Sequence, residues 1–354
     1  MMKEALPRLP ADHDEAQQAL ASAGLTDGLP VVPPMPARVQ RMLDANGCDP
    51  HAVVATLPPL FVPATWHDIA VNAVMAGCRD DYLPVVGAAI EALADEAFNL
   101  LGIATTTGSA TPLVIVSGPV VHSIGMNSGA NVLGPGNRAN ATIGRAVHLV
   151  IQNVGGARPG EVDMSTLGQP AKFTFCCAEN AVDSPWPSLH VERGHAADAS
   201  VVTVVGAAGI VEIVDSESRS AAELAHTYGA STLIAGSLGG AGLLGGGEPL
   251  FIMPPEHARI FHDDGYGRRE AKAAIYEHAA LPVERLSASV REKLSLRREM
   301  GAANHAHVVR AAAAPDDVTI VVAGGVGRKG AYVPTWGGTT RAVSRPIVAG
   351  ARLS

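Results

Sequence analysis

The sequence predicts an α/β protein in which mixed or mostly parallel sheets are flanked by helices. Short apolar runs typical of buried strands alternate with segments whose apolar residues recur at helical spacing, and this alternation favours the α/β class. The chain has 354 residues, of which 47% are hydrophobic, so it can bury a large core. Its 38 glycines point to a tightly turned backbone between these elements.

Four helices are predicted in the first half of the chain from recognisable ends. The first begins at Pro36 and ends at Gly47, because proline suits the first helical turn and glycine the C-terminal cap. The second follows Thr65, which forms a capping-box-like pattern with Asp68, and it ends at Gly77. The other two lie in DYLPVVGAAIEALAD and ATIGRAVHLVIQNVGG.

Strands are predicted where short apolar runs are bounded by turn residues. The predicted strands are TPLVIVSGP, AKFTFCCAE, SVVTVVGA, GIVEIVD, PLFIMP and DVTIVVAGG. The predicted helices of the second half are SRSAAELAHTYGA, PPEHARIFHDDG and GRREAKAAIYEHAALP. A glycine-rich loop is predicted over residues 236–249.

Two lobes are predicted, preceded by an extension. Residues 1–25 are the N-terminal extension, residues 26–215 the first α/β lobe, and residues 216–354 the second. The boundary is placed at the polar stretch DSESRS. The length of the chain is compatible with two units of ordinary domain size.

Composition and charge exclude several function classes. The net charge of −8 and the lack of a basic stripe argue against nucleic-acid binding. The apolar runs are too short or too broken to span a bilayer, and the N-terminus lacks the apolar core of a secretory signal. The four cysteines form no C-x-x-C pair and are typical of reduced thiols. We therefore expect a cytoplasmic protein that binds neither membrane nor nucleic acid.

An asparagine- and glycine-rich segment, NSGANVLGPGNRANATIGRA, is the candidate substrate-binding element. It leads into a helix whose first N–H groups are unpaired and whose N-terminus carries a partial positive charge. Amides and guanidiniums in this pattern favour a bound carboxylate or phosphate. The alternative is a structural loop whose asparagines form turns and cap the helix. The candidate substrate-binding residues are Asn127, Asn131, Asn137, Arg138, Asn140 and Arg145, together with Thr106 in the hydroxyl-rich turn TTTGSATP.

Two glycine-rich stretches resemble dinucleotide-binding fingerprints, and each lacks half of the required context. GPGNRA precedes a helix but follows no strand, whereas GVGRKG follows a strand but precedes Pro334 rather than a helix. P-loop, G-x-S-x-G and H-E-x-x-H patterns do not occur in the chain. No cofactor is therefore predicted.

The candidate catalytic residues are thiols with neighbouring acids and bases. Cys78 lies just before a predicted helix start and beside an arginine, a position that lowers the pKa of a thiol. Cys176 and Cys177 lie on a predicted strand and therefore face opposite sides. Glu179 shares the face of Cys177. His190 and Glu192 form the H-x-E pattern of SLHVERGH, a predicted strand-to-loop segment on which both side chains would share one strand face. Core packing is the alternative for each cysteine.

Several of these stretches resemble a poorly characterised bacterial family encoded beside small (seleno)proteins with a U/C-G-S-C motif. They are DGLPVVPP, NAVMAGCRDDYLPVV, NSGANVLGPGNRANATIGRA, FTFCCAENAVDSPWPSLHVERG, PEHARIFHDDGYGRRE and YVPTWG. The resemblance runs from Thr26 to Pro346 and implies a small thiol or selenol partner chain, but it implies no particular reaction. The chain departs from the family pattern at Thr107–Gly108, where His-Pro is expected, and at the lysine of RKGAYVPTWG.

The leading hypothesis is a cytoplasmic enzyme that acts on a small anionic organic substrate. A cysteine supplies the nucleophile or redox thiol, and Glu179 or His190 transfers the proton. Cleavage or formation of a carbon–heteroatom bond, of lyase or thiol-dependent reductive type, is favoured over plain hydrolysis. A homo-oligomer is expected, because glycine-rich surfaces such as residues 236–249 can pack against another subunit.

Two other hypotheses stay open. The first is a metal-dependent hydrolase or hydratase that uses His190, Glu192 and His257, although the spacing matches no established zinc pattern. The second is a non-catalytic subunit that works only in complex with the small thiol or selenol protein.

Overall fold

The computed structural model describes residues 9–234, 247–299, 308–337 and 339–348. The helices of these ranges are α1 His13–Ser22, α2 Pro36–Asn46, α3 Trp66–Ala76, α4 Leu83–Leu93, α5 Leu100–Thr105, α6 Val120–Ser123, α7 Arg138–Asn153, α8 Leu189–Glu192, α9 Ala221–Ala230, α10 Pro255–Asp263, α11 Arg268–His278 and α12 Ala288–Glu299. The strands are β1 Val53–Leu57, β2 Val62–Thr65, β3 Thr111–Ser117, β4 Cys176–Ala178, β5 Val201–Ala207, β6 Val211–Val214, β7 Leu250–Met253, β8 Ala280–Pro282, β9 Val308–Arg310, β10 Thr319–Val322, β11 Lys329–Val333 and β12 Val343–Pro346.

Two four-stranded mixed sheets form the centre of the molecule. The first has the order β12-β5-β3-β4, in which β3 and β4 are parallel and the other pairs antiparallel. The second has the order β10-β7-β11-β6, in which β10 and β7 are parallel. The prediction of mixed sheets flanked by helices is confirmed.

The two sheets pack face to face, and helices cover their outer faces. On β3, Leu113 and Ile115 join the core between the sheets, whereas Val114 and Val116 join the core beneath α3, α4 and α7. A third core lies between the second sheet and α9–α11, with Phe251 among its members. The result is a four-layer arrangement of helices, sheet, sheet and helices.

Helix ends in the first half of the chain are where the capping patterns predict them. Helix α2 ends at Gly47, which adopts the left-handed conformation with φ of 62°. Helix α3 begins with the reciprocal capping box of Thr65 and Asp68 and ends at Gly77. These boundaries depend on contacts within a few residues, which is why the local sequence specifies them.

Two predicted strand segments differ in the structure. Of AKFTFCCAE, only Cys176–Ala178 forms a strand, because it pairs with β3 over three residues. Pro170–Lys172 instead forms one turn of 3-10 helix. His190 and Glu192 lie on the short helix α8, so the prediction of a common strand face for the H-x-E pair was wrong.

The predicted boundary at residue 215 stays a prediction, and each sheet draws a strand from across it. Strand β6 precedes residue 215 but joins β7, β10 and β11, whereas β12 joins β3, β4 and β5. Most of the predicted glycine-rich loop 236–249 lies outside the described residues. In the part of the chain that the structure describes, no helix is long and apolar enough to cross a membrane.

Candidate functional site

A cavity of about 200 Å³, here called the His148 cavity, lies where α5, α7 and the start of β3 meet. Apolar side chains form most of its wall, and a few polar groups converge in it, which is the usual composition of a small-molecule site. The residues that line it are Thr26, Asp27, Leu100, Ile103, Ala104, Ala110, Thr111, Pro112, His148, Ile151, Gln152, Ala157, Pro159, Asp163, Lys172 and Phe173.

Helix α7 places His148 in this cavity. Ile143, Val147 and Ile151 recur at helical spacing and are buried, so this face of the helix packs on the first sheet. Gly144 allows close packing, since a Cβ built there would lie 2.5 Å from Thr174 Oγ1 and 2.9 Å from the Phe175 nitrogen. His148 follows Gly144 by four residues and is therefore on the same face, towards β3.

Hydrogen bonds fix the tautomer of His148. The Nδ1 atom lies 2.8 Å from the Gly144 carbonyl oxygen, which can only accept, so Nδ1 carries the proton and donates it. The Nε2 atom therefore presents its lone pair, and it lies 2.7 Å from Thr111 Oγ1. Thr111 accordingly donates its hydroxyl proton to Nε2. The Thr111 hydroxyl, the His148 base and the Gly144 carbonyl that orients this base are therefore arranged in the order that acid–base catalysis requires.

His148 is held neutral at physiological pH. Loss of solvation lowers the pKa of His148 to about 4, and the Lys172 ammonium contributes to the lowering. The hydrogen bond to Gly144 and the carboxylates of Asp27 and Asp163 oppose the change only in part. A neutral imidazole with its lone pair directed at a hydroxyl can accept a proton.

Two ion pairs supply the charges of the cavity. Lys172 Nζ lies 2.5 Å from Asp163 Oδ2, and about a fifth of the Lys172 side chain is exposed. Arg145 donates two hydrogen bonds to Asp27, each of 2.7 Å, and a further one to the Pro30 carbonyl. The guanidinium of Arg145 is thus occupied by this chain's own acceptors.

The asparagine-rich segment is bound to itself. The Asn127 and Asn131 side-chain amides donate to the carbonyls of Ala130 and Pro135. Asn131 has φ of 60°, a left-handed conformation that asparagine tolerates. These bonds agree with the alternative prediction, in which the segment is a structural loop whose asparagines form turns and cap the helix.

The remaining asparagines connect the segment to α7. Asn137 caps α7 by accepting from the Asn140 N–H, and its amide donates to the Gly125 carbonyl. The Asn140 side chain is buried. Its amide donates to the Asn127 and Val132 carbonyls and accepts from the Asn127 N–H. Their amide groups hold the loop on the helix start.

Arg138 and Thr106 lie away from the His148 cavity. Arg138 donates to the Gly77 carbonyl and lines a separate open cavity of about 490 Å³ beside Cys78. The Thr106 hydroxyl accepts from the Gly108 N–H in a local turn. None of the predicted substrate-binding residues lines the cavity, and Arg145 contacts it through its ion pair with the lining residue Asp27.

The structure buries the candidate thiols. Loss of solvation raises the pKa of Cys78 to about 12, although its Sγ donates to the Thr142 carbonyl at 3.3 Å. Burial likewise raises the pKa of Cys177 to about 12 and that of Cys176 well above its ordinary value. The expectation of a lowered pKa at Cys78 was therefore wrong, because loss of solvation outweighs the charges of Arg138 and Arg145.

The two adjacent cysteines do face opposite sides of the first sheet, as predicted. Cys176 belongs to the core beneath the helices, and Cys177 belongs to the core between the sheets. Within the described residues, Cys48, Cys78, Cys176 and Cys177 are all free thiols. The side chains of Cys176 and Cys177 thus serve core packing in this arrangement.

Glu179 lies in a buried polar cluster, and neither Glu179 nor His190 lines the His148 cavity. Glu179 accepts from Ser117 Oγ at 2.6 Å and from the Leu189 N–H at 2.7 Å, and it pairs with Arg268 at 3.4 Å. His190 is fully buried, and its Nε2 lies 3.4 Å from the Ala197 carbonyl. The cluster connects the end of β4 to α11.

Glu192 and Lys272 complete this ionic cluster. Glu192 accepts from Lys272 at 2.8 Å and from Arg268 at 3.0 Å. Two carboxylates and two cations are thereby balanced in a region with little solvent. These pairs compensate the four charges, whereas Arg268 Nε is buried without a hydrogen-bond partner among the described residues.

The candidate metal ligands are not brought together. His257 is buried on α10 and uses both ring nitrogens, one with Tyr228 and one with the Asp215 carbonyl. Across the described ranges, no group of three histidine, cysteine, aspartate or glutamate side chains is arranged to hold a metal ion.

The asparagine-rich segment meets the loop of the second glycine-rich stretch in space, beside the ends of β4, β7 and β10. The Gly324 N–H donates to the Ser128 carbonyl, and a Cβ at Gly325 would lie 2.8 Å from Ala130. The N–H groups of Gly327 and Arg328 are occupied by the Glu256 carboxylate, at 2.6 and 2.9 Å. This loop therefore binds an acidic side chain of the same protein.

Sequence reasoning missed Thr111, His148 and Lys172. His148 lies within the predicted helix ATIGRAVHLVIQNVGG and was given no role there, and Thr111 was taken as the start of a buried strand. A weak signal exists, since a histidine on an otherwise apolar helix face requires a buried hydrogen-bond partner. The identity of that partner depends on the packing of α7 against β3, which is not a local property.

No protein-family model, curated protein or solved structure matches the chain. The resemblance to the family encoded beside U/C-G-S-C proteins stays a prediction.

Proposed function

We propose that this protein is an enzyme that transfers a proton on a small organic substrate in the His148 cavity, as a step of a lyase- or hydratase-type reaction. The observation that carries the proposal is the Thr111–His148 pair. Its donor and acceptor are 2.7 Å apart, its tautomer is fixed, and it faces a cavity with apolar walls. A half-buried base with a strongly shifted pKa in such a cavity is typical of catalytic sites.

In the proposed step, Thr111 relays the proton. The hydroxyl oxygen takes a proton from the substrate while its own proton passes to His148 Nε2. The result is a deprotonated substrate and an imidazolium, so no external oxidant or reductant is needed. The reverse transfer then protonates the leaving group or the product. Lys172 stabilises the negative charge that develops on the substrate, because its ammonium lines the same cavity.

The proposal keeps the predicted carbon–heteroatom chemistry and assigns the base to imidazole rather than to a thiol. The raised pKa values of Cys78 and Cys177 support this assignment, since a neutral thiol is a poor nucleophile. A cytoplasmic location is part of the proposal and is supported by the free cysteines. The small thiol or selenol partner and the homo-oligomer stay predictions.

Exchange of substrate protons for deuterium tests the proposal without knowledge of the full reaction. The protein is incubated in D₂O with a panel of small hydroxy-, oxo- and unsaturated carboxylic acids, and loss of C–H signals is followed by NMR. We expect wild type to exchange at least one of them. His148→Asn keeps the bond to Gly144 but lacks the Nε2 base, so exchange falls by about a hundredfold or more.

Three variants serve as comparisons. Thr111→Val removes the relay hydroxyl and is expected to lose exchange, whereas Thr111→Ser keeps it and retains most of the rate. His51→Asn changes an exposed histidine and leaves the rate unchanged. Exchange that persists in folded His148→Asn protein contradicts the proposal.

A further inference from the structure

Lys172 has hydrogen-bonding capacity that its ion pair does not use. An ammonium carries three N–H donors, and Asp163 Oδ2 accepts one of them. Asp163 is itself held in place, because its Oδ1 accepts from the Ser165 hydroxyl at 2.7 Å. Within the described ranges, the structure gives Lys172 Nζ no second hydrogen-bond partner. Its remaining donors can therefore reach an acceptor in the cavity that it lines.

Both cations at the cavity are paired with carboxylates, and Lys172 Nζ keeps donors for one anionic group. Arg145 is paired with Asp27 and with backbone carbonyls, so it offers little to a ligand. Asp27 and Asp163 also line the cavity and repel additional anionic groups. Lys172 is thus the ligand-directed cation among the lining residues.

The rest of the wall determines the body of the ligand. Leu100, Ile103, Ile151 and Phe173 contribute aliphatic and aromatic surface. The volume of about 200 Å³ corresponds to roughly seven waters at about 30 Å³ each. The body that fits is a short hydrocarbon chain or a small ring.

We propose that the His148 cavity binds small monocarboxylates with an apolar body, and that Lys172 binds the carboxylate while Thr111 and His148 face the carbon chain. This inference rests on the proposed function for the identity of the site. It adds the substrate class and the specificity-determining residue. Amides of the same shape lack the negative charge that Lys172 binds. Dicarboxylates place a second negative charge next to the carboxylates of Asp27 and Asp163.

Binding measurements on three matched probes test the substrate class. Butyrate, butyramide and succinate are titrated into the full-length protein and followed by ligand-detected NMR. We expect butyrate to bind about ten- to a hundredfold more tightly than either of the others, the range expected for one charged hydrogen bond. Equal binding of butyrate and butyramide overturns the inference.

Variants assign the preference to Lys172. Lys172→Met is expected to lose the preference for butyrate over butyramide, whereas Lys172→Arg keeps it. Lys293→Met changes an exposed lysine and serves as the control. A butyrate preference that survives in folded Lys172→Met protein overturns the assignment of the carboxylate to this residue.

The design separates this inference from the proposed function. His148→Asn removes the base but not the ammonium, so it is expected to bind butyrate normally while losing proton exchange. Loss of exchange with no carboxylate preference supports the function and overturns the substrate class. Carboxylate preference with exchange unaffected by His148→Asn supports the substrate class and overturns the catalytic role of His148.

Discussion

His148 combines a fixed tautomer with a strongly lowered pKa. Its Nδ1 proton is committed to the Gly144 carbonyl, and its Nε2 lone pair accepts from Thr111. An ordinary histidine with a pKa near 6.5 is partly protonated at neutral pH, whereas this one is fully neutral. A base in this state is available over the whole physiological pH range.

The lowered pKa of His148 has a consequence for stability that can be measured. Between the unfolded pKa of 6.5 and the folded pKa of about 4, the unfolded chain binds a proton that the folded protein does not. The contribution of His148 to the free energy of unfolding is therefore complete above pH 6.5, and it is lost as pH falls towards 4. The expected loss is on the order of 3 kcal/mol.

Urea unfolding at several pH values between 4 and 7 isolates this effect. The difference in unfolding free energy between wild type and His148→Asn is expected to shrink over this range as pH falls. The other titratable groups are present in both proteins, so the comparison isolates the pH dependence that His148 brings. A difference that does not change with pH contradicts the assigned state of His148.

The asparagines show where inference from residue type reaches its limit. The sequence is compatible with two roles for the four asparagines of this segment, either as donors to a ligand or as residues that form turns and cap a helix. They are Asn127, Asn131, Asn137 and Asn140. The structure gives their amides backbone partners within the segment or at its ends. Amide chemistry is the same in both cases, so only the positions of the surrounding carbonyls decide between them.

At the scale of elements, helix ends were predictable and strand extents were not. Proline, glycine and the Thr65–Asp68 box mark helix boundaries through contacts within four residues. The length of β4 depends instead on how many of its residues pair with β3, which is distant in sequence and longer than β4. AKFTFCCAE therefore had the composition of a strand but pairs over only three residues.

Helix α7 and strand β4 approach closely at Gly144, and this contact positions His148. Gly144→Ala adds a Cβ that would lie 2.5 Å from Thr174 Oγ1 and 3.1 Å from Cys176 Cβ. We expect a loss of about 1–3 kcal/mol in unfolding free energy, despite the better helix propensity of alanine. Proton exchange is expected to fall as well, because the Gly144 carbonyl orients the imidazole.

Ala141→Ser, at an exposed position of the same helix, is the matched control for that substitution. Chemical denaturation gives the stability change, and the deuterium-exchange assay gives the change in rate. Wild-type stability and wild-type exchange in Gly144→Ala protein contradict the positioning role of this contact.

At the scale of the whole molecule, the two sheets are built from strands distant in sequence. Strand β6 pairs with β11, and β12 pairs with β5, so each sheet joins strands that lie far apart in the sequence. The cluster of Glu179, Glu192, Arg268 and Lys272 further joins the end of β4 to α11. The α/β class follows from the alternation of elements, but this pairing depends on long-range packing.

The site has the same non-local origin. The His148 cavity takes side chains from the loop at Asp27, from α5, from the start of β3, from α7 and from the segment around Lys172. None of these stretches carries a recognised motif by itself. Motif-based reasoning therefore singled out the glycine-rich loops and the cysteines, whereas the cavity appears only when the chain is folded.

The position of a bound acid shows whether the His148 cavity is the substrate site. We would determine the crystal structure of the full-length protein with a saturating concentration of butyrate. We expect butyrate in the His148 cavity, with its carboxylate on Lys172 Nζ and its hydrocarbon chain against Thr111 and Ile151. Butyrate bound at the glycine-rich loops around Gly324, with the His148 cavity unoccupied, would contradict the account.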